Sequence, residues 1–191
     1  MKLLSRGNRK IPTATAIFNL PAVMTCPGST AQCRKYCYAR KAEKQYPAVL
    51  PFRNRNWEQA KLDTFVDVIS NELSRARTIK SVRIHESGDF YNQAYFDKWK
   101  EVAEKRPDLT FYAYTKNSRI DISTRPSNFV ILLSDDKAEH KDIWDKFNGV
   151  ATVTPKGSKP DKDFIICPGS CKTCSLCKDV TENNRITFLE H

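Results

Sequence analysis

Hydrophobic positions along the chain follow two periods, one of a strand and one of a helix. Alternation in "TATAIF", positions 13–18, predicts a short strand. Leu62, Phe65, Val66, Ile69 and Leu73 recur at helical spacing and predict one helix through "NWEQAKLDTFVDVISNELSRAR". "SVRIHE" alternates again at Val82 and Ile84, and "SGDF" breaks it. "NQAYFDKWKEVAEKRPD" predicts a second helix with Tyr95, Phe96, Trp99, Val102 and Ala103 inward, stopped near Pro107. "LTFYAYT" and "NFVILLS" read as strands, the latter apolar enough to be covered on both faces. "SDDKAEHKDIWDKFNG" carries helix end signals, Ser134 as N-cap and Gly149 just past the end. "VATVT", "DFIIC" and "RITF" complete the set of strands.

Strands alternating with helices imply an α/β domain whose sheet is mostly parallel, with crossover helices. Five or six main strands suit either an open sheet or a partial (β/α) barrel. No internal repeat and no linker divides the chain, so residues 1–188 are expected to form a single domain. The last three residues, "LEH", resemble the start of a cloning scar, which sets His191 aside and leaves His85 and His140 for functional reasoning.

Composition narrows the class. The chain has 191 residues, 40 % of them hydrophobic and 10 % aromatic, enough for a real core and too many for disorder. No apolar run approaches the ~20 residues that cross a bilayer, and "MKLLSRGNRK" lacks the apolar stretch of a secretory signal. The expectation is a cytoplasmic protein in a reducing setting, where clustered cysteines favour metal over disulfides. The net charge of +10 suits an anionic partner such as nucleic acid, or else a solvated basic surface balancing thiolate-bound clusters.

The seven cysteines fall in two knots. "CPGSTAQCRKYC" holds Cys26, Cys33 and Cys37 as C-x6-C-x3-C, and "CPGSCKTCSLC" holds Cys167, Cys171, Cys174 and Cys177 as C-x3-C-x2-C-x2-C. Four thiolates in so tight a run suit an iron–sulfur cluster, where each must reach a different iron. Structural zinc sites more often use two separated pairs. The first knot has three local ligands. On a four-iron (4Fe–4S) cluster that leaves one iron open to a small molecule, unless His85, Asp89 or a cysteine of the other knot fills the place. Cys26 follows an early strand and Cys167 a late one, so both knots are expected at the carboxyl ends of strands. Lys116 and Asn117, at the end of another strand, are candidates for substrate or cofactor contacts.

The first knot resembles the radical S-adenosylmethionine (SAM) enzymes, whose three-cysteine loop, C-x3-C-x-aromatic-C, follows the first strand of a partial barrel. Tyr36 stands before Cys37 as that aromatic does, where the resemblance implies a place beside the cofactor's adenine. The spacing here is six and three residues against the family's three and two. Cys167, Cys171 and Cys174 have the family spacing, with Thr173 in the aromatic position. The family's second strand ends in a Gly-Gly-Glu turn that binds the cofactor's amino group. Ser87, Gly88 and Asp89 fall in that place, and the resemblance implies that Asp89 supplies the carboxylate. Read without the resemblance, Gly88 makes a turn and Asp89 caps the next helix.

The whole chain also resembles a phage-borne cysteine-rich family, through "CRKYCYAR" and "RIHESGDFYNQAYFDKWKEVAEKRPDLTFYAYTK". That resemblance implies a viral or mobile-element origin and action inside a host cell. Three functions stand at this point. One is a two-cluster iron–sulfur enzyme with SAM chemistry on a small-molecule substrate. The second is an iron–sulfur electron-transfer or host-takeover protein working on a redox partner. The third is a zinc-stabilised nucleic-acid binder.

Overall fold

The computed structural model describes residues 2–179 and 184–190. Eight strands form one sheet in the order β1-β2-β3-β4-β5-β6-β8-β7. They are β1 Ser5–Arg6, β2 Thr15–Phe18, β3 Ser81–Ile84, β4 Thr110–Thr115, β5 Phe129–Ser134, β6 Gly149–Thr154, β7 Ile165–Ile166 and β8 Asn184–Leu189. Only β1 runs antiparallel to its neighbour; every other pair is parallel. The α/β reading and the mostly parallel sheet therefore hold. The sheet is open, with β1 and β7 at its edges, and not a closed barrel. His191 lies outside the described residues, whereas Leu189 pairs with Thr154 in β8.

The helices are α1 Ala31–Tyr36, α2 Tyr38–Gln45, α3 Val49–Lys61, α4 Phe65–Ser74 and α5 Gln93–Lys105, with a 3-10 turn over Lys141–Lys146. Side chains alternate across a strand, so each strand shows one set of residues to each face. Ala16, Phe18, Val82, Ile84, Phe111, Ala113, Phe129, Ile131 and Leu133 join Phe65, Ile69, Leu73, Tyr95, Phe96 and Trp99 in one large core. Helices α3 to α5 therefore cover one face. Trp99 packs edge-on against Phe18 at 5.2 Å and Phe65 at 5.3 Å. Each such fully buried side chain stabilises by about 1.5–3 kcal/mol. The opposite face shows Arg83, Tyr112, Tyr114, Val130, Leu132 and Ile186, and carries no helix.

Three expectations need correction. The helix foreseen across residues 56–77 is two helices, because Leu62 takes an extended conformation at the end of α3 and points to solvent, 52 % exposed. The helix foreseen from Ser134 to Gly149 is absent. Ser134 still belongs to β5 and Gly149 already begins β6. Between them the Asp135 carboxylate accepts from the amides of Glu139 and His140 and from the Trp144 indole. A side chain thus satisfies the backbone that an α-helix would have paired internally. Gly149 serves packing, since a Cβ there would lie 2.3 Å from the Asn184 carbonyl oxygen. Finally, the first cysteine knot is largely helical. Thr30 caps α1 by accepting the Cys33 amide at 3.0 Å, and Cys37 joins α1 to α2.

Candidate functional site

The first knot sits over the carboxyl ends of β2, β3 and β4. Asn19, just past β2, accepts the amides of Glu86 and Ser87 at 2.7 and 3.0 Å. Ser87 in turn donates its hydroxyl to the Leu20 carbonyl at 2.8 Å. These bonds zip the two strand ends together. Gly88 has φ +86, and a Cβ on it would stand 2.6 Å from the Leu20 Cβ and 2.8 Å from the Thr25 hydroxyl. Only glycine meets both demands. The turn then runs from Cys26 to Ser29, whose amide donates to the Cys26 carbonyl. Gly28 lies flat on the end of β4, where a Cβ would meet the Lys116 carbonyl oxygen at 2.1 Å.

Asp89 is buried beneath this knot. Its Oδ1 accepts from the Phe90 amide at 2.7 Å and the Thr115 hydroxyl at 2.6 Å, and its Oδ2 from the Lys116 amide at 2.8 Å. Burial pushes its carboxyl up to about 6 against these donors. The helix cap is Asn92 and not Asp89, for the Asn92 side chain accepts the Tyr95 amide. The Cys26 thiol is pushed up to about 12, first by burial and then by the Asp89 charge, with Cys33 and Cys37 adding to it. Burial also raises Cys33, which Lys116 opposes. Lys116 is paired with Asp136 through Nζ, and Asn117 donates to the Phe90 carbonyl. Tyr36 is 55 % exposed, with the Lys35 ammonium over its ring.

The second knot enters from β7 but lies across the helix-free face, which corrects the expectation that both knots occupy strand ends. The Cys167 amide donates to Thr187 in β8, and the Cys171 amide to Lys10 beyond β1, so the knot reaches from one edge of the sheet toward the other. Cys167, Leu176 and Cys177 pack on Tyr112, Val130, Leu132 and Ile186. The Tyr114 hydroxyl donates to the Cys177 sulfur at 2.6 Å. Arg83 lies over the Tyr114 ring at 4.3 Å and over Tyr112, its register partner, at 5.2 Å. Burial raises Cys171 and Cys177; Arg83 opposes it at both, and the Tyr114 hydroxyl also opposes it at Cys177. Arg83 also acts on Tyr38, the residue after Cys37, whose hydroxyl donates to the Glu86 carbonyl. The two knots thus border one half-buried arginine.

All seven cysteines are free thiols, half-buried in their knots. Among the described residues no three His, Cys, Asp or Glu side chains converge as one metal ion requires. The donor chemistry nonetheless suits a polynuclear group, whose thiolates each hold a separate iron. Within each knot the sulfurs are close enough to act on one another's charge. His85 is a core residue. Its Nε2 meets the Tyr95 hydroxyl at 2.9 Å, its ring packs on Phe90, and burial followed by Arg83 lowers it to about 3. His140 is an exposed residue at the start of the 3-10 turn.

Sequence reasoning missed Arg83, Tyr112 and Tyr114. The signal available was an arginine inside an otherwise apolar strand and two tyrosines two residues apart, hence on one face.

Fold and site define a class, a mostly parallel α/β protein with one cysteine knot over its strand ends and another across its bare face. Residues 2–183 match the model of the family described as Gene product 88, and the chain belongs to that family. It is 31 % identical to the Gene 88 protein of Mycobacterium phage L5 over 194 residues, 91 % of this chain and 81 % of that one. It is 28 % identical to the Gene 88 protein of Mycobacterium phage D29 over 207 residues, 90 % and 85 % of the two. No solved structure matches it. The phage expectation stands on these relatives, while the radical SAM likeness rests on the cysteine and "SGD" motifs alone. No helix among the described residues is long and apolar enough to cross a membrane.

Proposed function

We propose that this is an iron–sulfur protein with two cluster sites. Cys26, Cys33 and Cys37 hold one cluster with an iron left open, and Cys167, Cys171, Cys174 and Cys177 hold an auxiliary one. The observation that carries the reading is the separation of seven free thiols into two sets, the sulfurs acting on one another within each. When bound, such clusters supply one-electron chemistry, including reductive cleavage of SAM if that molecule takes the open iron. The chain's own residues set the surroundings. Arg83 places positive charge beside Cys171 and Cys177, and the Tyr114 hydroxyl donates to Cys177. His85 is committed to Tyr95, which favours an open iron over a histidine ligand. The consecutive strand order with helices on one face is also that of an opened (β/α) barrel.

A second reading keeps the clusters and drops SAM, leaving electron transfer to a redox partner. One observation favours it: Asp89 already accepts three hydrogen bonds from its own chain, and Tyr36 faces solvent. Anaerobic purification with iron and sulfide counts, a paramagnetic-resonance spectrum and titration with SAM separates the readings. Iron and sulfide in both knots with a SAM-induced spectral change supports the enzyme. The same metal content without a change leaves electron transfer, and zinc in both knots defeats both.

A further inference from the structure

The charge of this chain is concentrated at one end. Its first 57 residues contain eleven basic residues and one acid, a net +10, while the remaining 134 carry 21 of each. The whole excess therefore comes from the segment that builds β1, β2 and helices α1 to α3. Such asymmetry marks a surface for a polyanion, provided the charges stay exposed and unpaired.

The structure meets that condition. The one acid of the segment, Glu43, is turned inward. It pairs with Arg53 at 2.8 Å, both side chains 9 % exposed, and accepts the Ala22 amide at 2.7 Å. The other charges of α1 and α2, among them Lys35, Arg40, Lys41 and Lys44, face solvent. Two aromatic rings stand among them, Tyr36 at 55 % and Tyr46 at 54 % exposure. The patch continues beyond the helices. Glu86 joins the start of α2, through the Tyr38 hydroxyl, to the loop holding Arg9 and Lys10, through Asn8 at 2.8 Å. Large aromatics are seldom left on a surface beside unpaired cations without a partner. A solvated basic face needs no exposed rings, and a binder of duplex backbone needs none either. A single strand uses both: cations track its phosphates and its unpaired bases stack on rings.

We propose that the α1–α2 surface, extended by the 8–11 loop, binds single-stranded nucleic acid, with Lys41 and Lys44 on the phosphates and Tyr36 and Tyr46 under bases. The site is independent of the clusters, although it adjoins the first knot.

The test uses the full chain, purified anaerobically, with fluorescein-labelled 20-nucleotide oligothymidylate and oligouridylate and a 20-base-pair duplex. Binding is followed by anisotropy across a salt series, with iron content measured on every sample so that loss of a cluster is not mistaken for loss of binding. The paired reversal Lys41→Glu/Lys44→Glu should weaken binding at least about tenfold and lower the salt slope by about one. The matched reversal Lys156→Glu/Lys159→Glu, on an exposed loop of the neutral part, should change it less than about twofold. Tyr36→Ala/Tyr46→Ala should cost the single strands about tenfold while the salt slope stays and the duplex changes little. A preference between the two strands names the sugar and supports the site. Equal losses from the two charge reversals, duplex bound as tightly as single strand, or no binding at low salt overturns it.

Discussion

The two cysteine knots begin with the same four residues, Cys-Pro-Gly-Ser, and the fold uses them differently. In the first, Gly28 is pressed against the end of β4 with no room for a Cβ. In the second, Gly169 has φ +78 and open space around it. One glycine is required by contact, the other only by backbone conformation. The charges differ as well. The first knot lies over Asp89, which raises Cys26 and Cys33. The second lies beside Arg83, which lowers Cys171 and Cys177 against the effect of burial. A shared motif therefore fixes a turn, and the sheet beneath decides the electrostatic setting of the thiols.

The largest expected effect separates the knots by their metal. Cys174→Ala should remove about half of the iron bound by an anaerobic preparation, and Cys33→Ala the other part, since each knot fills separately. Iron and sulfide assays on the two variants and their combination check it. Unchanged iron in either single variant, or total loss in both, defeats the idea of two independent sites.

Next in size comes the pair of glycines. Gly28→Ala drives a methyl into the Lys116 carbonyl and should cost about 3 kcal/mol, as overpacking against backbone does. Gly169→Ala places alanine at positive φ without a clash and should cost about 1 kcal/mol. Urea unfolding of the two variants measures the difference. Equal costs would mean that the first turn does not rest on β4.

The buried groups near Arg83 and the first knot set a pH dependence of similar or smaller size. Asp89, at about 6, lies above the roughly 3.9 of an unfolded aspartate. Its contribution is fully present below that lower value and is lost as pH rises through about 6. His85, lowered to about 3 from roughly 6.5, works oppositely; its contribution is present above the unfolded value and is lost as pH falls through about 3. Asp89→Asn removes the first slope and leaves the second. The variant should then lose stability more steeply than the parent between about pH 6 and 4, on top of about 1–3 kcal/mol for the amide it can no longer accept. Urea midpoints across that range give the slopes, and parallel curves would show that Asp89 titrates normally.

The smallest effect belongs to the second knot. Tyr114→Phe deletes the hydroxyl that donates to Cys177. Hydrogen bonds to cluster sulfurs make reduction easier, so the variant's cluster should reduce at a more negative potential with unchanged iron content. Potentiometric titration reads the shift, and an unmoved potential would detach Tyr114 from that cluster.

Local pattern alone determined much of this protein. The apolar alternation of β2, β3 and β4, the unbroken run of β5 and the buried stripe of α5 each name their own structure, because burying one face is a local property of spacing. The two knots are equally local, since ligand spacing is written in consecutive residues. Composition located the excess of positive charge without saying which acids are hidden. Tertiary structure decided the rest. The segment after Ser134 has every helix signal except partners, and Asp135 satisfies its backbone instead. Leu62 reads as buried at helical spacing, yet the chain turns there to bring α4 onto the sheet. Arg83, Tyr112 and Tyr114 become neighbours of Cys177 only because β3 and β4 pair in one register and residues 167–179 fold back over them. Such contacts join residues scores of positions apart, and no window of sequence contains both sides of them.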